Sequence, residues 1–273
     1  MDRRTAIQFV AACTITTGAN AVFSQNSSGI DHRYAAWDTL LKKYVQWLPD
    51  GKQSRVDYRG LTQARADLQA ILAGWSGVSK AQFEGFSPAQ RQAFLINAYN
   101  GFTLELVLGK YPDLKSIKDL GTLFQSPWKK QWFPLLGEQR SLDWVEHAQL
   151  RPVYKDPRLH AALNCASIGC PALRPEAFTD SALQRQLDDG MQRFMGDPTR
   201  NRYADGTLYL NAIFKWYRAD FEKGHLGLFS LSDVGARYAD QLSSQAEDRA
   251  RLKAGGLPVE FLDYDWRLND LAR

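Results

Sequence analysis

The chain has 273 residues, 44% of them hydrophobic and 12% aromatic, which suffices for one sizeable core or two modest ones. Its formal charge of +4 is too mild and dispersed to argue for nucleic acid, and no nucleic-acid partner is expected. No later segment approaches the roughly 18 consecutive apolar residues of a membrane span, so no transmembrane helix is expected.

The N-terminus reads MDRRTAIQFVAACTITTGANAVFSQ. Arg3 and Arg4, a weakly apolar run from Thr5 and the small-x-small triplet Ala19-Asn20-Ala21 follow the order of an export signal over residues 1–21. The paired arginines resemble a twin-arginine signal, although Ala6 stands where such signals favour phenylalanine. Ordinary secretory export is one alternative, and lipidation of Cys13 behind Val10-Ala11-Ala12 is another. The expectation is a periplasmic or secreted protein with a polar linker at 22–31 and one globular domain at 32–273. Without Asp2, Arg3 and Arg4 the net charge is about +3. Cys165 and Cys170 are then the remaining cysteines, in a compartment where thiols tend to be oxidised.

Along the mature chain, Tyr34, Trp37, Leu40, Leu41, Tyr44 and Trp47 recur at three- and four-residue steps and predict a helix that Pro49-Asp50-Gly51 ends. SRVDYRGL reads as a short extended piece and LTQARADLQAILAGW as a helix. The clearest element follows: Ser87, Pro88 and Gln90 form an N-cap, first-turn proline and capping-box partner, and Pro112 marks the end. Ala93 to Leu108 are apolar on nearly every side, so this helix belongs in the centre of the domain. Asn97, Asn100 and Thr103 interrupt it as a narrow stripe that must meet polar partners.

Residues 113–140 read as loop, and SLDWVEHAQLRP as a short helix from Ser141 to Pro152 that offers Glu146, His147 and Arg151 near one side. DPRLHAALNCASIGCPAL, residues 156–173, concentrates His160, Asn164, Cys165 and Cys170 in a strand-like run. PEAFTDSALQRQLDDGMQRFMGDP is an amphipathic helix stopped by Pro198. Thr207 to Leu210 reads as a strand passing at Asn211 into an aromatic helix, LSDVGARYADQLSSQAEDRARL as a further helix and LPVEFLDYDWRLND as a closing strand. The tally predicts an α+β fold, a helix-rich single domain around a small sheet.

The ordered set AFLINAYNGFT, VEHAQLR, DPRLHAALNCASIGCPAL, LNAIFKWYRADF and EFLDYDWRLN resembles the family catalogued as domain of unknown function 547, over roughly residues 32–270. That resemblance implies an exported bacterial protein and assigns no activity. A distant similarity to papain-like or transglutaminase-like folds is expected beside it, although no motif carries it.

A thiol nucleophile needs a histidine in reach and a third group to orient that histidine. Cys165, His160 and Asn164 or Asn100 supply those types, with Asn97, Glu146, His147 and Arg151 as candidate binding residues at the margin. In a straight strand His160 and Asn164 face one way and Cys165 the other, so a dyad requires a bend at Asn164. The blander readings are a Cys165–Cys170 disulfide closing a small loop, a packed core His160, a surface ion cluster at Glu146, His147 and Arg151, and core aromatics in FKWYRADF and YDWRLN. A zinc set from His147, His160, Cys165 and Cys170 would need a wider cysteine spacing than usual, and no metal or cofactor is expected. The functional expectation is thiol-dependent acyl transfer or hydrolysis on a small-molecule or peptide-like ligand. The alternative is a non-catalytic binding or scaffold module with the two cysteines oxidised.

Overall fold

In the computed structural model, which describes residues 30–121 and 126–272, the central helix runs Pro88–Leu108. The Ser87 hydroxyl accepts from the Gln90 backbone N–H, and the Gln90 side chain accepts from the Ser87 N–H, so the sequence-predicted capping box is formed. From Gln92 to Leu108 nearly every residue is buried, because helices, a strand and the segments around Asn164 and Phe178 pack around it. Helix Arg65–Ser76 crosses so closely that a Cβ on Gly101 would lie 2.8 Å from the Trp75 ring and 2.9 Å from Leu72. Glycine here permits the close approach. The proposed export signal, Cys13, most of the 22–31 linker and part of the 113–140 loop lie outside the described residues.

The strands are short and form three small sheets. Strands β1 (Val45–Trp47) and β2 (Ser54–Val56) are antiparallel, as are β3 (Phe133–Leu135) and β4 (Glu138–Arg140). In the third sheet β6 (Thr207–Asn211) lies between antiparallel β5 (Arg202–Ala204) and parallel β7 (Val259–Leu262). The result is a helix-rich α+β domain, as the sequence predicts. Two apolar clusters fill it, one around the central helix and the N-terminal helices, the other between β6, helix Leu183–Met195 and the C-terminal helices. The segment after Asp156 runs along their seam: Leu159, Ala162 and Leu163 join the first cluster and Ala161 the second.

Several expectations change. The first helix ends at Tyr44, and Trp47 lies on β1, since the chain turns at Pro49-Asp50-Gly51 to pair with β2. The second predicted helix is two, Tyr58–Gln63 and Arg65–Ser76, meeting at Ala64. The 113–140 loop contains a 3-10 turn and the β3–β4 hairpin, whose three-residue strands are too short for a periodic signal. The helix ending at Pro152 continues to Tyr154 as Arg151–Tyr154, because the preceding turns are π-helical over Trp144–Leu150 and Pro152 sits in a first turn that asks for no N–H donor. The helix expected over PEAFTDSALQRQLDDGMQRFMGDP starts only at Leu183, the helix from 231 breaks into Leu231–Arg237, Ala239–Leu242 and Ala246–Ala254, and the closing strand is limited to β7.

The largest correction concerns 159–165. No strand forms there: Pro157–Ala161 is a 3-10 turn begun by Asp156, whose side chain accepts from the Arg158 N–H at 2.9 Å. Proline at its first position and a capping aspartate favour the turn over an extended run. The alternation argument about which side His160 and Cys165 face therefore lapses.

Candidate functional site

Asn100 fixes the segment's backbone from the central helix. Its Nδ2 donates to the Ala162 carbonyl at 2.9 Å and its Oδ1 accepts from the Asn164 N–H at 2.9 Å. Asn164 in turn donates to the Pro171 carbonyl at 2.7 Å and accepts from the Ala166 N–H at 2.9 Å and from Asn269 at 3.3 Å. Asn97 makes the same two-ended clamp on Phe178, donating to its carbonyl at 2.8 Å and accepting from its N–H at 3.0 Å, and it also accepts from Trp37 at 3.2 Å. Thr103 bonds its own helix at Tyr99. The polar stripe thus meets backbone and is spent on it.

The clamp delivers Cys165 to a tight loop. Ala166 adopts a left-handed φ of +61°, a costly conformation for alanine that places strain directly after the cysteine. Gly169 passes so near residues 264–265 that a Cβ would meet the Asp265 nitrogen at 2.9 Å and the Tyr264 ring at 3.0 Å. Asn211 donates to the Gly169 carbonyl at 3.1 Å, Arg200 donates to the Cys170 carbonyl, and Ser167 bridges Leu268. The loop is held by contacts from three other stretches of chain, at Arg200, Asn211 and 264–268.

Cys165 and Cys170 are free thiols in contact, their sulfurs 2.8 Å apart. Cys165 Sγ also lies 3.0 Å from the Tyr264 hydroxyl and 3.8 Å from Ser167 Oγ. The hydrogen bond from Cys170 lowers the Cys165 pKa, burial opposes it, and Tyr264 and Ser167 add to the lowering. Burial pushes Cys170 and Tyr264 up. Cys165 is therefore the member of the pair that ionises first.

His160 is buried, and its Nε2 lies 2.8 Å from Asp220 Oδ2. The same oxygen accepts from Arg151 Nε at 2.6 Å, and Arg151 Nη1 donates to His147 Nδ1 at 2.6 Å. Burial raises the Asp220 pKa, but the hydrogen bonds from His160 and Arg151 together outweigh it and hold the carboxylate well below its ordinary range. Tyr217 stacks on the imidazole with ring centres 4.2 Å apart, and Arg151 covers the Tyr217 ring at 4.7 Å. Tyr217 and Asp220 are three residues apart across a break between helices Ala212–Trp216 and Arg218–Glu222.

These groups meet at a cavity of about 200 Å³. Cys165, Cys170 and His160 line it, and Tyr99 and Leu163 contribute from the central-helix side. Trp128, Trp216, Tyr264 and Trp266 form an aromatic wall, with Trp216 and Trp266 stacked at 5.5 Å and Tyr264 against Trp266 at 4.4 Å. The π-helical turns carry Glu146 to the cavity, with Asp143 lining it just before their start, and burial raises the Asp143 pKa. Single π turns occur often at functional sites.

The structure brings Cys165, His160 and Glu146 onto one cavity and keeps Asn97, Asn100 and Asn164 in backbone clamps. His147 and Arg151 stand behind Asp220, around a second and more open surface pocket. Among the described residues no imidazole is within hydrogen-bond reach of Cys165 Sγ, and no group of three or more His, Cys, Asp or Glu side chains is placed to hold a metal ion. Asp220, Tyr217 and Tyr264 escaped the sequence reading. All three stand in the aromatic motifs read there as core, and Asp220 was the available signal: a carboxylate within an otherwise aromatic helical face. Phe214 and Phe221 are core as expected, whereas Trp216 is 47% exposed.

Residues 83–195 match the sequence model of the family described as "Protein of unknown function, DUF547". Over that stretch the chain is similar to the DUF547 family. The match runs from just before the central helix through helix Leu183–Met195, and so contains Cys165, His160 and Glu146 but not Asp220, Tyr217 or Tyr264. Comparison with curated proteins and with solved structures gave no match.

Proposed function

We propose that this protein is an exported thiol-dependent acyl-transfer enzyme, acting as a hydrolase when water is the acceptor. The carrying observation is the shared cavity of a half-buried Cys165, whose pKa is lowered, and a His160 fixed by Asp220. Asp220 takes the orienting role that the sequence reading gave to an asparagine.

In the proposed reaction the Cys165 thiolate attacks a carbonyl carbon and forms a thioester. Cys170 and Tyr264 stabilise that thiolate, so its formation does not depend on a direct bond to imidazole. With Nε2 committed to Asp220, His160 works through Nδ1: it takes up the proton that Cys165 gives up, passes it to the leaving group as that group departs, and then takes a proton from the water whose attack releases the acid and restores the thiolate. The Tyr264 hydroxyl, 3.0 Å from the sulfur, is placed to donate to the oxyanion. Arg151 holds Asp220 ionised throughout.

The test combines thiol alkylation with turnover of a panel of simple thioesters and activated esters by the purified mature protein. The reading expects Cys165 to be alkylated near pH 6 faster than a free cysteine, and turnover that Cys165→Ser abolishes. Slow alkylation together with no Cys165-dependent turnover would sink it.

The 2.8 Å sulfur contact favours a second reading. A small disulfide of the oxidising compartment takes two electrons from the Cys165 and Cys170 thiols, which join as a disulfide while the oxidant leaves as two thiols. The cavity then binds its ligand without turnover. Protein isolated without reductant that shows no free thiol until reduced supports this reading over the first.

A further inference from the structure

The walls of the Cys165 cavity specify more than a thiol reaction. Among the described residues lining it there is no lysine or arginine, whereas Glu146 and Asp143 present two carboxylates. Glu146 is 5% exposed; its carboxylate takes the Tyr217 hydroxyl, and no cation lies within ion-pair distance of it among the described residues. Asp143 has the His147 ring 3.7 Å away, and Lys129 acts on it from farther off. A buried carboxylate without a cation is costly, and a positively charged group entering the cavity would offset that cost.

The remaining wall is of the kind that receives such a group. Trp128, Trp216, Trp266 and Tyr264 are in mutual ring contact, Trp128 to Trp266 at 6.1 Å and Trp216 to Tyr264 at 4.9 Å. Aromatic faces attract cations, and indole does so most strongly. A ring of this wall already carries such a contact: Lys118 Nζ sits 3.8 Å from the centre of the Trp266 ring. The cavity, about 200 Å³, is smaller than the roughly 300–1,000 Å³ typical of drug-sized ligands and suits one side-chain-sized group.

We infer that this cavity recognises a cationic alkylamine, the ammonium held between Glu146 and the tryptophan wall, so that the substrate of the proposed acyl transfer carries such a group beside its reactive carbonyl. The inference rests on the reading of the cavity as the substrate site. It excludes substrates that must place a carboxylate or phosphate there, because the two acidic side chains repel them.

The experiment uses the Cys165→Ser protein, which cannot acylate, and titrates it calorimetrically with n-butylammonium, n-butanol and butyrate. The ammonium should bind at least tenfold more tightly than the alcohol, and butyrate should not compete with it. Glu146→Gln, which keeps the shape of the side chain, should lose tenfold or more. Trp216→Leu, at a position exposed enough to spare the fold, should lose several-fold. Equal binding of amine and alcohol, no binding of the amine at millimolar concentration, or an affinity indifferent to both substitutions overturns the inference. Selective ammonium binding without any turnover by the parent protein would keep the site and reject acyl transfer. Turnover of neutral and cationic esters at equal rates would do the reverse.

Discussion

Asn100 and His160 both attach to the segment 156–173, and they do opposite things with their polar atoms. Asn100, like Asn97 and Asn164, has both ends of its amide bonded to backbone inside the protein. His160 commits one nitrogen to Asp220 and presents its ring at a cavity that Cys165 shares. Residue types that look equally catalytic in the sequence thus divide into those that build the loop and those that face the cavity. The test of the division is whether each substitution harms stability or chemistry.

The largest effect is expected from Cys165→Ser, which should remove roughly 10³-fold or more of any thiol-dependent turnover while the melting temperature barely moves. Asp220→Asn should follow, with a loss on the order of 10² to 10⁴ in kcat and a displaced pH profile, since the amide cannot fix the same imidazole tautomer or stabilise its protonated form. Asn100→Ala should do the reverse. It leaves the Asn164 N–H and the Ala162 carbonyl buried without partners, at about 2–4 kcal/mol and a melting temperature lower by roughly 5–15 °C. The alkylation rate of the molecules that remain folded should stay within about threefold of the parent.

Acid unfolding sharpens the same contrast. The folded-state pKa of Asp220 lies below the unfolded value of 3.8, so its stabilisation is fully present above about pH 4–5 and is lost as the pH falls further. Asp189 and Asp197, lowered by Arg193, Arg174 and Arg200 against the effect of burial, share that sign. Urea midpoints between pH 2 and 6 should therefore fall less steeply for Asp220→Asn than for the parent. The smallest change belongs to Ala166→Gly, which relieves the left-handed strain and frees the unfolded chain at once. Its stability should shift by no more than about 1 kcal/mol, measurable by the same midpoints.

Much of the fold was legible because it is encoded locally. The capping box at Ser87, the continuous apolar run to Leu108 and Asn211 at the start of a helix each carry their own short-range signal. The 3-10 turn at Pro157–Ala161 was misread as a strand because a run of five residues cannot establish a period, and its cap, Asp156, was counted with the reactive stretch instead of as a turn signal. The site was legible only in half. Cys165 and His160 stand out by residue type, whereas Asp220 is 60 residues from His160 and Tyr264 is 99 from Cys165.

By itself the sequence determined the helix-rich α+β class, the buried central helix with its polar stripe, and the concentration of thiol and imidazole chemistry in one segment. These follow from the spacing of apolar residues and from caps, which act within a few positions. Which polar atoms would be consumed by backbone and which would face a cavity was decided only in the tertiary structure. Hydrogen-bond saturation depends on partners that the sequence holds far apart, and packing alone brings Asp220 to His160 and Tyr264 to Cys165.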